Sequence, residues 1–177
     1  DSYHLPNSVF IGEDGLIEVP SISIYHAKSQ GQDYLFLAGD IQPLDEVSSH
    51  SFCNKIMDIL AGFGCTEIVT LGGIGLPEVP KKPKVYVTGN GKDIKKKYSV
   101  KGVNKEIYGI VGPIIGVSGL LLGSAKKRKT DAASLLAQTF GHPNYIGVRG
   151  ARELLKVLTS VHNLDVDLSD LDKEIKE

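Results

Sequence analysis

Strand-like and helix-like segments take turns along this chain, and the alternation predicts an α/β fold whose mainly parallel or mixed sheet is covered by helices on both faces. Two further observations point the same way. The run Tyr34-Leu35-Phe36-Leu37-Ala38-Gly39 is continuously apolar and ends in glycine, the pattern of a strand buried on both faces. A length of 177 residues, with 41% hydrophobic and 23% charged side chains, suits one well-buried core and is short for two. No internal repeat, linker or low-complexity tract interrupts it, so a single domain over 1–177 is expected.

Taken in order, Val9–Ile11 reads as a short strand. Leu16 to Ala27 alternates apolar and polar residues around a break at Pro20. After the run ending at Gly39, Glu46 to Ala61 reads as an amphipathic helix with Phe52, Ile56, Ile59, Leu60 and Phe63 on one stripe. Asp45 is its expected N-cap, and Gly62 and Gly64 are its stops. Glu67 to Gly72 and Lys84 to Gly89 read as strands, Asn90-Gly91 as a turn, and Gly91 to Lys97 as a short helix. A strand over Glu106–Gly112, a helix over Val117–Lys127 and a strand over Ala132–Thr139 follow. Val148 to Val161 is a helix with Leu154, Leu155, Leu158 and Val161 facing inward, and Ser169 is read as the cap of a last acidic helix.

Charge and cysteine content narrow the function classes. Twenty basic against 21 acidic residues leave a formal net charge of −1, which provides no global field for nucleic acid or an anionic membrane. The basic runs Lys95–Lys97 and Lys126–Lys129 lie near helix C-termini, where cations complement the dipole, and no aromatic residues interleave them. Cys53 and Cys65 read as reduced core residues, without zinc spacing, and the five histidines are scattered. No signal peptide opens the chain, so a cytoplasmic location is expected. The opening Asp1-Ser2-Tyr3-His4-Leu5-Pro6 reads like the middle of a protein, and an N-terminally shortened or processed chain is the expectation.

From Ile107 to Ala125 there are 19 residues without a charge, followed at once by Lys126-Lys127-Arg128-Lys129. Length and flank imitate a membrane span, and Gly112-xxx-Gly116 and Gly119-xxx-Gly123 imitate packed membrane helices. Five glycines and a proline argue against it, since an interior Gly costs about 1 kcal/mol and a Pro about 3 kcal/mol in a helix. The apolar character also changes type: Ile107–Val111 is β-branched and aromatic, whereas Leu120–Ala125 is made of helix formers. A strand–loop–helix joint explains the switch. Its glycines Gly112, Gly116 and Gly119 either let the helix pack closely on the sheet or, as an open alternative, cradle an anion at a helix N-terminus. The spacing matches neither GxGxxG nor a P-loop.

Gly72-Gly73-Ile74-Gly75 ends a predicted strand, so Gly72, Gly73 and Gly75 could share a ligand crevice with Gly112, Gly116, Ser118 and Gly119 at the carboxyl ends of strands. Tight turning is the plainer reading. Asp40, Asp45, Glu46 and His50 cluster after a strand, where a metal or an acid/base pair could sit, with Asp40 the one to watch; capping and solvated-face roles are the plainer account. Ser118 falls short of GxSxG and has no identifiable His–Asp partners. His142, in Gly141-His142-Pro143-Asn144-Tyr145, is the histidine to watch, with a turn role as its plainer account. No catalytic set, metal site or cofactor is assigned.

Several segments in order carry a family resemblance: Leu37-Ala38-Gly39-Asp40-Ile41-Gln42-Pro43, Ile68-Val69-Thr70-Leu71-Gly72-Gly73-Ile74, and Gly112-Pro113-Ile114-Ile115-Gly116-Val117-Ser118-Gly119-Leu120-Leu121-Leu122. Ala132 to Tyr145 and the helix Ala151–Leu158 continue it. Together they resemble the proteasome assembly chaperone family of the second-subunit type, in its archaeal branch. The resemblance implies a three-layer α/β/α sandwich like that of nucleoside phosphorylases. It also implies homo-oligomers that act in proteasome assembly by binding α subunits. Similar sequences have been labelled ATP-dependent carboligases, yet no residues here support ATP-grasp chemistry. Relatives of this type usually open with an extra glycine-containing strand–helix unit before the position of Asp1. Some archaeal members dock through a C-terminal hydrophobic-Tyr-any tail, where this chain reads Glu174-Ile175-Lys176-Glu177.

Two functional expectations therefore stand side by side. One is a non-catalytic assembly chaperone that self-associates and binds proteasome α subunits, with no nucleic acid and no membrane partner. The other is a phosphorylase-like or ATP-dependent small-molecule enzyme, or a nucleotide binder, using the two glycine segments.

Overall fold

The computed structural model describes residues 8–142 and 145–175. The opening Asp1–Pro6, Pro143-Asn144 of the His142 turn and the last two residues of the expected tail lie outside them.

Two antiparallel ribbons come first. The expected break at Pro20 separates them: β1 (Phe10–Ile11) pairs with β2 (Ile17–Glu18), and β3 (Ile22–Ser29) pairs with β4 (Gln32–Gly39). Gln30 and Gly31, both at positive φ, form the two-residue turn between β3 and β4, whose twist suits antiparallel strands. The expectation that Tyr34–Gly39 is buried on both faces is corrected here. Among the described residues β4 pairs with β3 alone, and Phe36 and Leu37 remain exposed.

The rest of the chain builds the main body. In order these are α1 (Glu46–Gly62), β5 (Glu67–Leu76), β6 (Val85–Gly89), α2 (Lys92–Lys97) and β7 (Val103–Asn104). Then come α3 (Val117–Lys127), β8 (Asp131–Phe140), α4 (Val148–His162) and α5 (Ser169–Glu174). The four-stranded sheet has the order β5-β8-β6-β7, with β5 parallel to β8, β6 antiparallel to β8 and β7 parallel to β6. It is a mixed sheet, and β8 at its centre is buried on both faces from Ala132 to Ala137.

Alternate residues of β8 feed two cores, which is what makes three layers. Ala133, Leu135 and Ala137, with Val85 and Val87 of β6, pack against Ile94 of α2, Tyr98 beyond it, and Leu154 and Val157 of α4. Ala132 and Ile68 pack on the other side against Cys53, Ile56 and Met57 of α1 and Leu121 and Ala125 of α3. Each large side chain buried this way contributes about 1.5–3 kcal/mol. The sheet's buried hydroxyls are paired, with Thr70 Oγ1 donating to Ser134 Oγ at 3.0 Å. Asp45 caps α1 as expected, its Oδ1 accepting the Ser48 N–H at 2.8 Å.

Three expectations change. No strand forms over Glu106–Gly112: β7 comes three residues earlier, and 105–115 crosses as a loop that turns at Tyr108–Ile110. β-branched residues favour a strand only where a neighbouring strand receives them, and none does here. The strand expected to end at Gly72 continues to Leu76 in register with β8, so Gly72, Gly73 and Gly75 are strand residues and not a loop. Ser169 is the first residue of α5 and not its cap; the Asp167 carboxylate accepts the Ser169 N–H at 2.8 Å and its hydroxyl at 2.9 Å. Among the described residues no helix is long and apolar enough to cross a membrane.

Candidate functional site

Because β5 and β8 are parallel, their carboxyl ends lie together, and the loops leading into α1, α3 and α4 gather at that end. The sequence-derived glycines divide between the sheet and this end. In β5, a Cβ on Gly72 would meet Leu136 Cδ2 at 2.9 Å, and one on Gly73 would meet Thr139 Cγ2 at 2.9 Å. Gly75 stands against Gly141, whose N–H donates to the Leu76 carbonyl at 2.8 Å. Leu136 and Thr139 of β8, and the backbone of Gly141 just beyond it, fill the space a side chain would need at these three positions.

Gly116 is the N-cap of α3, with φ at 78°, where its absent Cβ leaves room for the Gln42 side chain. Gly119 lies in the first turn, and a Cβ there would come within 2.0 Å of the Ile114 carbonyl oxygen. Gly112 faces open space, and Ser118 is half-buried between these glycines. The segment thus joins a loop to a helix, and its close contacts are to its own chain. Two open depressions of about 320 and 330 Å³ lie elsewhere. The first is lined by Lys95 and 105–108, the second by Val79, Tyr145, Ile146, Val148, Arg149, Glu174 and Ile175.

Asp40 closes the β3–β4 ribbon, its Oδ2 accepting the Ser21 N–H at 2.8 Å and the Ser21 hydroxyl at 3.2 Å. His142 stacks on Phe140, with centroids 5.6 Å apart and planes 11° from parallel. His142 directly follows Gly141, which stands against Gly75. Among the described residues, no three His, Cys, Asp or Glu side chains are grouped to hold a metal ion.

The structure assembles a polar cluster that spacing did not announce. At the amino end of β5, the fully buried Tyr98 donates its hydroxyl to Glu67 Oε1 at 2.5 Å. Its oxygen accepts from His162 Nε2 at 2.7 Å, and Lys97 Nζ donates to Glu67 Oε2 at 2.7 Å. Burial, and then the Glu67 carboxylate, push the Tyr98 phenol above its ordinary range. Burial and Lys97 hold His162 below the usual imidazole value, against an opposing pull from Glu67. Each group is engaged with the others, which ties β5, the end of α2 and the end of α4 together. The residues lie 31 and 64 apart in the chain, so only the fold brings them together.

The carboxyl end of the sheet has a different character. Leu44 and Val47 at the start of α1, Val79 beyond β5, Ile115 before α3 and Ile146 before α4 are all exposed, four of the five by more than three-quarters. Large apolar side chains presented at one end of a molecule mark a surface for macromolecules more than a small-molecule site.

A mixed sheet between two helical layers defines an α/β/α sandwich, the fold class the sequence suggested. The chain belongs to the PAC2 family, whose model matches residues 1–177. Among curated proteins it is 25% identical over 174 residues to the uncharacterized protein MJ1210 of Methanocaldococcus jannaschii. That match covers 98% of this chain and 66% of MJ1210, so the chain spans a little under two thirds of that relative. Among solved structures it resembles Pyrococcus furiosus PbaB, an archaeal proteasome activator, with a TM-score of 0.84 and 28% identity over 98% of this chain and 75% of PbaB. P. furiosus PbaA, an archaeal homolog of proteasome-assembly chaperone, shares the fold with a TM-score of 0.75 and 24% identity, over 99% of this chain and 69–72% of PbaA.

Proposed function

We propose that this protein acts on the proteasome, as an assembly chaperone or activator that binds proteasome α subunits. The observation that carries the reading is the backbone likeness to PbaB, at a TM-score of 0.84 over nearly the whole chain, within a shared family. The exposed Leu44, Val47, Ile115 and Ile146 at the carboxyl end of the sheet supply the contact surface. The protein works as a homo-oligomer in the cytoplasm. In this reading Gly72, Gly73, Gly75, Gly116 and Gly119 serve packing, Gly112 belongs to the connection that places α3, and Ser118 to the first turn of that helix.

Affinity capture of archaeal proteasome α subunits by the purified chain tests this directly. Co-elution with α subunits, lost on adding free chain, is the expected result. Absence of any α-subunit complex, from low to physiological salt, would overturn it. The nucleotide-binding alternative draws no support from the family or its structural neighbours. A panel of nucleotides, nucleosides and phosphate is expected to leave the melting temperature unchanged, whereas a ligand at 100 times its Kd would add about 2.7 kcal/mol.

A further inference from the structure

We propose that the face formed by α2 and the loop after β7 binds an acidic segment of another protein, its carboxylates set on lysines and one large apolar side chain set beside Tyr108. The proposal is independent of the proteasome reading, because it uses none of the side chains at the carboxyl end of the sheet.

Charge is the first observation. From Lys92 to Lys105 the chain carries six lysines and one aspartate, a net charge of +5 in a protein whose total is −1. The macrodipole of α2 accounts for Lys95, Lys96 and Lys97 in its last turn, whereas Lys92, Lys101 and Lys105 lie outside that turn. Lys97 is paired with Glu67 at 2.7 Å. Among the described residues the other five lysines have no acidic partner within ion-pair distance. Lys92, Lys95 and Lys96 are spaced three and four apart, so they share one face of α2 and repel one another there. An anionic partner removes that repulsion.

The second observation is what the lysines surround. Lys95 and Lys105 line the open depression of about 320 Å³ together with Glu106, Ile107 and Tyr108. Tyr108 is 100% exposed, and Ile110 beyond it is exposed too. An ordered turn presents them: the Ile107 carbonyl accepts the N–H groups of Ile110 and Val111, both at 3.1 Å, and Gly109 takes a φ of 77°. An aromatic anchor beside a polar rim is the make-up of a protein-binding patch.

These features select the occupant. A nucleic acid needs a series of aromatic rings for its bases, and Tyr108 is the one exposed aromatic residue from Lys92 to Val111. A small molecule needs more enclosure than an open depression gives. A second copy of this chain fits poorly, because its own acidic run, 165–174, is engaged at home. There Asp167 accepts from Ser169, Asp170 pairs with Lys173, and Asp172 pairs with Arg152.

The test titrates the full 177-residue chain with short labelled peptides in which glutamates flank a single phenylalanine. Saturable 1:1 binding is expected, weakening at least about tenfold from low to physiological salt. The double variant Lys95→Glu, Lys105→Glu is expected to lose at least about tenfold in affinity, and to bind the counterpart peptide that carries lysines in place of the glutamates. Tyr108→Ser, and separately a peptide with serine for its phenylalanine, should each cost at least about fivefold. Both protein variants should keep the urea midpoint of the native chain, since their side chains lie at the surface. Ile115→Glu is expected to bind the peptide like the native chain, so this proposal and the proteasome reading fail separately. The proposal is overturned by no saturable binding, by undiminished binding in either variant, or by equal binding of a uridine oligonucleotide of the same charge. Equal binding of a peptide copying residues 165–174 would overturn it in favour of self-association.

Discussion

Tyr98 and Glu67 are joined by a 2.5 Å hydrogen bond across 31 residues of sequence, and the bond anchors the first residue of β5 to the end of α2. Tyr98 is fully buried, so its hydroxyl has no water to turn to if Glu67 is lost. Removing that hydroxyl leaves Glu67 with Lys97 and strands the His162 donor. Tyr98→Phe is expected to lower stability by about 1–3 kcal/mol, read as a shift of the urea midpoint at constant slope. An unchanged midpoint would show that the cluster ties nothing together.

His162 predicts a pH dependence whose sign can be worked out. Burial and then the neighbouring Lys97 hold its pKa in the folded protein below the ordinary imidazole value of about 6.5. The unfolded chain therefore binds a proton more readily than the folded one as pH falls. Stability is full above about 6.5 and declines as pH drops from there through the lower folded value. The facing groups are Tyr34, Tyr98, Glu67 and Lys97, and Glu67 opposes the shift without cancelling it. Comparing chemical denaturation of the native chain and His162→Gln across pH 5–8 isolates the effect; the variant is expected to show the flatter profile.

The glycines of α3 separate packing from helix propensity. Alanine at Gly123 meets nothing within 4 Å, so Gly123→Ala is expected to stabilise by about 1 kcal/mol. At Gly119 the added methyl would sit 2.0 Å from the Ile114 carbonyl oxygen. The same substitution there is expected to destabilise by about 1–3 kcal/mol despite the same gain in propensity. Thermal or urea denaturation of the two variants checks the opposite signs.

Ile115 and Ile146 are 83% and 77% exposed, at the loops before α3 and α4. Ile115→Glu and Ile146→Glu should each leave folding stability within about 0.5 kcal/mol of the native value. Capture of α subunits is expected to fall at least about tenfold for either variant, if these side chains are anchors of the proposed interface. Full capture by both variants would move the contact elsewhere on the molecule.

Most elements were readable in the chain because their signals are local. Phe52, Ile56 and Leu60 of the stripe, the Asp45 cap and Leu154, Leu158 and Val161 of α4 each state their structure within a few residues, and the structure repeats them. Phe63, expected on the same stripe, lies past the end of α1 and is exposed, and Val157, not Leu155, joins the core from α4. The candidate glycines were also conspicuous, but their meaning was not. Gly72 and Gly73 are small because Leu136 and Thr139 of a strand more than 60 residues away occupy the space.

What the sequence by itself determined is the alternation of strands and helices, the helix boundaries and the order of glycines that carries the family likeness. The tertiary structure alone decided which apolar runs become buried. Tyr34–Gly39 and Ile107–Val111 have the composition of inner strands, yet one is an exposed ribbon and the other a loop. The physical reason is that strand character becomes burial only when a neighbouring strand completes the ladder. That neighbour is chosen by the whole fold, as it is for the meeting of Tyr98, Glu67 and His162.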